Sequence, residues 1–202
     1  MTTARDLLIV SMDVPAADRP VEQGDLSLAL AGAELLDLAA AEALTLDDDR
    51  IVPGSPSDVR DGQLARAAAA LSRREPYESV QDWLWRRGRG LRAAYLAALE
   101  AEGSITRQRQ RFHPLSSGRV TVADGPDRRR AAERWASGEP VLAALAAAVR
   151  IQDAPADELA RLTSDTVVTV LAAVDEAVTE LAGERQRRTI EDAAFDNIWR
   201  GQ

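Results

Sequence analysis

At 202 residues the chain is long enough for one domain with a sizeable core, and with aromatics at only 4% that core must be filled by Ala, Leu and Val. Its cations are all Arg, 25 of them against 33 carboxylates, for a net charge of −8. With no Cys and a single His, disulfides, thiolate nucleophiles and the usual zinc centres are excluded.

The start, MTTARDLLIVSMD, carries a short apolar run ended by Asp13, without the basic opening and cleavage site of a signal peptide. No stretch approaches the roughly 20 apolar residues of a membrane span, so a cytoplasmic protein is expected. Asp25 to Leu46 reads as a helix apolar on most sides, and such a helix is central. Asp47-Asp48-Asp49 forms the turn of a hairpin that returns through Arg50-Ile-Val-Pro, and Pro53 to Asp58 is a loop. Asp58 or Asp61 caps a helix running to about Leu71. After Pro76, Ser79-Val-Gln-Asp opens a helix bearing Trp83, a core anchor.

Leu91, Tyr95, Ala98 and Leu99 recur at helical spacing, and Gly103 ends that helix. Ile105 to Ala123 reads as a β-hairpin turning at Ser116-Ser117-Gly118, with Val120 and Val122 on one face. Helices follow around Arg128 to Trp135, from Pro140 to Ile151 and from about Asp157 to Leu181, with a short one ending at Trp199. The expected fold is therefore mainly α: a single helical domain over residues 1–202 with a central apolar helix and a β-hairpin.

Positive charge is concentrated between Leu84 and Arg111, where seven Arg face only Glu100 and Glu102. This local excess of +5 leaves −13 for the remainder and points to an anion-facing surface. On a helix covering Arg86 onward, Arg89 and Arg92 lie three apart and can bracket a phosphate with charge-assisted hydrogen bonds. Arg86 and Arg87 add to the same surface, as do Arg107, Arg109 and Arg111, which alternate along a strand. The bland alternative is a solvated helix face beside a charged edge strand. Trp85, set among these arginines, is a candidate for an interface. Arg128-Arg129-Arg130 is expected to be solvated, because cations at a helix start oppose its dipole.

Catalytic patterns are missing. The lone His113 precedes Pro114, the Asp47 to Asp49 run is a turn, and neither GxxxxGK[ST] nor GxGxxG occurs. No enzyme, cofactor or metal is expected. A helix ending in Glu102-Gly103-Ser104-Ile105 before a basic hairpin also resembles the recognition helix and wing of a DNA reader. A sequence pI near 4.8 argues against nucleic acid.

The order of segments resembles the Golgi phosphoprotein 3 family. The resemblance rests on three stretches: DLLIVSMD with LALAGAELLDLAAAEALTLDDDRIV, then DGQLARAAAALSRREPYESVQDWL, then LRAAYLAALEAEGSI with RFHPLSSGRVTVAD. It implies an opening strand, a central helix with an acidic turn, and binding of phosphatidylinositol 4-phosphate in a basic pocket. Two Arg three apart precede the helix-ending Gly in that family, and here they fall on Arg89 and Arg92. The family pocket also uses a Trp and an Arg near the start of the central helix, where this chain has about Glu22 and Ala31. The expected function is a non-enzymatic peripheral membrane protein or adaptor. It would bind an anionic lipid headgroup, at the inner membrane face in a bacterial cell, and self-associate through the hairpin. A protein–protein adaptor meeting an acidic partner is the alternative, and a winged-helix-like DNA binder the third.

Overall fold

The structure is a computed structural model, described for residues 2–13, 21–55, 59–108, 119–152 and 164–200, excepting the side chains of 108, 119 and 193–200. Eight helices and two two-stranded hairpins make up the described residues, a mainly α fold. The loop residues 56–58, Arg109, Arg111, His113, the Ser116 to Gly118 turn and the expected helix start at Asp157 lie outside them.

The first segment is a helix, α1 (Thr3–Asp13), and not the opening strand implied by the family resemblance. Four consecutive apolar residues, Leu7 to Val10, are all buried. A short run buried on every side does not distinguish strand from helix by its period. Here the helix start is secured by a distant group: the Asp37 carboxylate accepts from the Ala4 N–H at 3.4 Å.

The central helix, α2 (Gln23–Ala40), is buried over most of its length but ends six residues before the expected Leu46. It closes with bonds from Glu42 N–H to the Ala39 carbonyl and from Ala43 N–H to the Leu38 carbonyl, around Glu42 at φ +56°. This is a Schellman closure with Glu in the position where Gly normally signals it. Leu44 to Leu46 therefore belong to β1 (Leu44–Asp47), which pairs antiparallel with β2 (Arg50–Pro53) across the Asp48-Asp49 turn.

Helix α3 (Gly62–Ala70) is capped by Asp61, whose carboxylate accepts from the N–H groups of Gln63 and Leu64 at 2.9 and 3.0 Å. Ser79 caps α4 (Val80–Arg87) at 3.0 Å. Trp83 is fully buried, donating from Nε1 to the Ala31 carbonyl of α2 at 3.2 Å. Helix α5 (Leu91–Ala101) ends at Gly103, φ +75°, and leads into β3 (Ile105–Gln108), paired with β4 (Arg119–Val122).

Helices α6 (Pro126–Ala136) and α7 (Pro140–Ala148) pack on α1. The last helix, α8 (Asp165–Arg200), runs past the expected end at Leu181 and takes in the separate short helix expected near Trp199. It lies antiparallel along α2, with Val170 and Val174 beside Gly32 and Leu181 beside Gly24. A Cβ at Gly32 would come within 2.4 Å of Val174 Cγ2, so this glycine sets how closely the two helices approach.

Candidate functional site

The basic segment folds as a corner. Helix α4 stops at Arg87, Gly88 packs against Ser27 and Leu28 of α2, and Gly90 turns the chain into α5 at φ +70°. That left-handed conformation is strained for residues with a Cβ. Arg89 and Arg92 therefore do not share the continuous helix face expected from their spacing. Arg89 stands in the turn between two glycines, and Arg92 lies in the first turn of α5, where its N–H donates to Ser27 Oγ at 3.3 Å.

The arginines here divide into two kinds. Arg87 is withdrawn from the supporting surface assigned to it, because it donates at 2.8 and 2.9 Å to both carboxylate oxygens of the fully buried Glu34. The Tyr95 hydroxyl donates to the same carboxylate at 3.1 Å. Burial pushes the Glu34 carboxyl above its ordinary range even against the pull of Arg87, and burial with the Glu34 charge raises the Tyr95 hydroxyl too. Glu34 thereby ties the end of α4 and the second turn of α5 to α2, on either side of the turn holding Arg89.

Arg86 is also engaged. It donates to both oxygens of Glu78 at 2.6 and 2.7 Å and to the Ala70 carbonyl at 3.1 Å, and it lies 5.1 Å from the centroid of the Trp83 ring. Arg107 stands 3.6 Å from Glu100. Trp85 is half-buried against the core. Arg86, Arg87 and Arg107, expected from the sequence to add diffuse attraction, thus each meet a carboxylate, Arg107 and Glu100 doing so at the surface.

Arg89 and Arg92 differ. Among the described residues neither guanidinium has a hydrogen-bond or ion-pair partner. Arg89 is exposed and Arg92 half-buried. Burial, and then the like charge of Arg107, push the Arg92 guanidinium below its ordinary pKa. An arginine both partly dehydrated and pressed by another cation is stabilised by any anion that reaches it.

A second arginine group, on α6, behaves in the opposite way. Arg128 donates to Asp13 at 2.7 Å and Asp124 at 2.6 Å. Arg130 donates to the buried Asp6 at 3.2 Å, and Arg134 to Asp6 at 2.7 Å and Glu139 at 2.9 Å. Arg128 and Arg130 are therefore bound and not merely solvated as expected, because α1 supplies the anions that a cation at a helix start requires. Nearby, Arg5 reaches Asp61, Glu102 and Asp127. Burial works against ionisation of Asp127, but the Ser104 hydroxyl at 2.7 Å and Arg5 hold it below the ordinary carboxylate range.

Sequence reading missed Glu34, Asp37, Asp6 and Arg5. Their signal was available: a charged residue inside an apolar run, as in AGAELLDLAA, needs a buried partner. Among the described residues no cluster of His, Cys, Asp or Glu could hold a metal ion, and no helix is long and apolar enough to cross a membrane.

Fold and site together define a mainly helical protein, built on a central apolar helix, with two arginines at one corner that have no partner among the described residues. The chain belongs to the Golgi phosphoprotein 3 (GPP34) family, whose model matches residues 4–193, nearly its whole length. No curated protein matches it significantly.

Proposed function

We propose that the protein is a non-enzymatic peripheral membrane protein or adaptor that binds anionic phospholipid, of the phosphoinositide type, at the α4–α5 corner. Arg89 and Arg92 contact the phosphate. The observation carrying this reading is that, among the described residues, these two guanidiniums lack partners while their neighbours Arg86, Arg87 and Arg107 have them. Each unpaired charge near an anionic membrane contributes on the order of 1 kcal/mol. At a Debye length of about 8 Å the acidic remainder of the chain does not cancel it. Binding through so few charges is weak, reversible and sensitive to salt.

The test is flotation of the full chain with neutral, simple anionic and phosphatidylinositol 4-phosphate vesicles, beside an Arg89→Glu/Arg92→Glu variant. Selective binding that the variant loses supports the reading; equal binding by the variant refutes it.

A second reading, an adaptor for an acidic protein segment, is favoured by one observation. Ala31 is fully buried and Glu22 is exposed and acidic, so neither supplies the further Trp and Arg of the family pocket. Vesicle-independent capture of an acidic peptide, lost in the same variant, separates it from the lipid reading. DNA binding is less supported, since pairing of Arg86, Arg87 and Arg107 leaves few cations to displace counterions.

A further inference from the structure

The ion pairs at α2, α4 and α5 are not equally firm. Glu34 grips Arg87, Glu78 grips Arg86, Glu102 grips Arg5 and Asp25 grips Arg185, each through both carboxylate oxygens. Glu100 and Arg107 make one contact at 3.6 Å, outside hydrogen-bonding range, with both side chains nearly half exposed. A surface pair of that kind holds little free energy, because water and salt compete for both charges.

Position makes this loose pair matter. Arg92, Leu96 and Glu100 recur every four residues, so they form one line along α5, with Arg92 and Glu100 about 12 Å apart along the axis. That separation is too long for the two to pair. Beyond the Gly103 turn, Ile105 and Arg107 occupy the same side of β3. Ile105 is buried in the core, and Val120, opposite Arg107, packs against it. Arg107 therefore leaves the inner side of the hairpin, and there it meets Glu100. Its charge also acts on Arg92, whose guanidinium burial and then Arg107 push below its ordinary pKa. For the three cations Arg89, Arg92 and Arg107, the described residues deliver one carboxylate, and that one loosely.

We infer that Arg107 is a third phosphate contact of the corner and that Glu100 is its resident competitor, displaced from Arg107 when a lipid phosphate arrives. The inference rests on the lipid reading above and adds a regulator to that site. A phosphate monoester presents three acceptor oxygens. It can accept from Arg92 and Arg107 together and so relieve the repulsion between them. Glu100 reaches only Arg107, and its hold is weak enough to exchange. Its effect is to lower the affinity of the resting site, by occupying one of three cations.

The test is a double-mutant cycle on the full chain, read as partitioning onto phosphatidylcholine vesicles containing phosphatidylinositol 4-phosphate. The proteins compared are the parent, Glu100→Gln, Arg107→Gln, the double variant of the two, and Arg89→Glu/Arg92→Glu. Both exchanged side chains lie at the surface, so the urea midpoints of the Gln variants are expected to match the parent. Arg107→Gln is expected to weaken partitioning about fivefold, as loss of one charge implies, and Glu100→Gln to strengthen it by a similar factor. In the Arg107→Gln background Glu100→Gln is expected to change nothing, because its target is gone. If Glu100→Gln strengthens binding equally in both backgrounds, Glu100 acts only as a diffuse charge and the inference is overturned. If Arg107→Gln binds as the parent does while Arg89→Glu/Arg92→Glu does not, the inference fails and the lipid reading stands. If the parent binds no vesicle, both fall.

Discussion

Helix α6 and the α4–α5 corner present similar densities of arginine and use them differently. On α6, Arg128, Arg130 and Arg134 all meet carboxylates, chiefly Asp6 and Asp13 of α1, more than 100 positions away in the chain. At the corner, Arg87 and Arg86 are matched in the same way by Glu34 and Glu78, but Arg89 and Arg92 have no such partner among the described residues. Local charge in the sequence is thus a poor guide to available charge. Availability is decided by which acidic residues the fold delivers, and only the unmatched remainder is left for a ligand.

The largest expected effect comes from breaking a matched pair. Arg87→Met leaves the Glu34 carboxylate buried without its cation and is expected to destabilise the protein by about 3–5 kcal/mol in urea unfolding. Adding Glu34→Leu should restore much of that loss, because two apolar side chains can replace a buried ion pair at little cost. A single variant as stable as the parent would mean that Arg87 is as free as Arg89, and the distinction between the two kinds of arginine would collapse.

Removing the unmatched pair should do the reverse. Arg89→Ala/Arg92→Ala is expected to leave the unfolding midpoint in place, since Arg92 gives up a desolvated, like-charged position. Affinity for anionic vesicles should fall about thirtyfold, at on the order of 1 kcal/mol per charge. A lowered midpoint would place these residues among the structural arginines.

A smaller effect concerns pH. Burial raises the Asp37 carboxyl above its ordinary range, against the Thr3 and Ala4 bonds that favour its charge. With the folded pKa raised, the native state holds the proton more tightly than the unfolded chain. Its contribution is full below the unfolded value and is lost as pH rises through the folded one. Asp127, whose pKa is lowered, acts in the opposite sense, losing its contribution as pH falls. Asp37→Asn should therefore flatten the decline of stability above the ordinary carboxylate range, and Asp127→Asn the decline below it. Both slopes come from urea unfolding across a pH series, and an unchanged slope in either variant removes that group from the account.

Much of this fold was legible before any coordinates, where local chemistry decided it. Asp61 and Ser79 cap their helices as their residue types demand, and Asp48-Asp49 and Gly103 turn the chain where they stand. The errors arose where a distant or atypical group decided the outcome. Helix α1 depends on Asp37 and the end of α2 on a left-handed Glu42, while α8 continues through Gly183 to Arg200 although residues 186–192 are exposed. At the site, Arg89 and Arg92 could be picked out by spacing, but not the break at Gly90 between them. Nor could the loss of Arg87 to Glu34, since 53 positions separate that pair.

Within the matched group, exposure should grade the effect, and Arg128 marks its lower limit. Its partners Asp13 and Asp124 lie at the surface with it, so water and salt screen the attraction, and its charge opposes the dipole of α6. Arg128→Ala is therefore expected to leave the urea midpoint unchanged at low and high salt alike. Arg134→Ala should lower it, because Asp6 is 1% exposed and, among the described residues, would retain Arg130 alone as a cation. Equal losses from both would mean that matching alone, not burial of the carboxylate, makes an arginine structural. The vacancy at Arg89 and Arg92 would then have to be defined by partners counted at the surface as well as in the core.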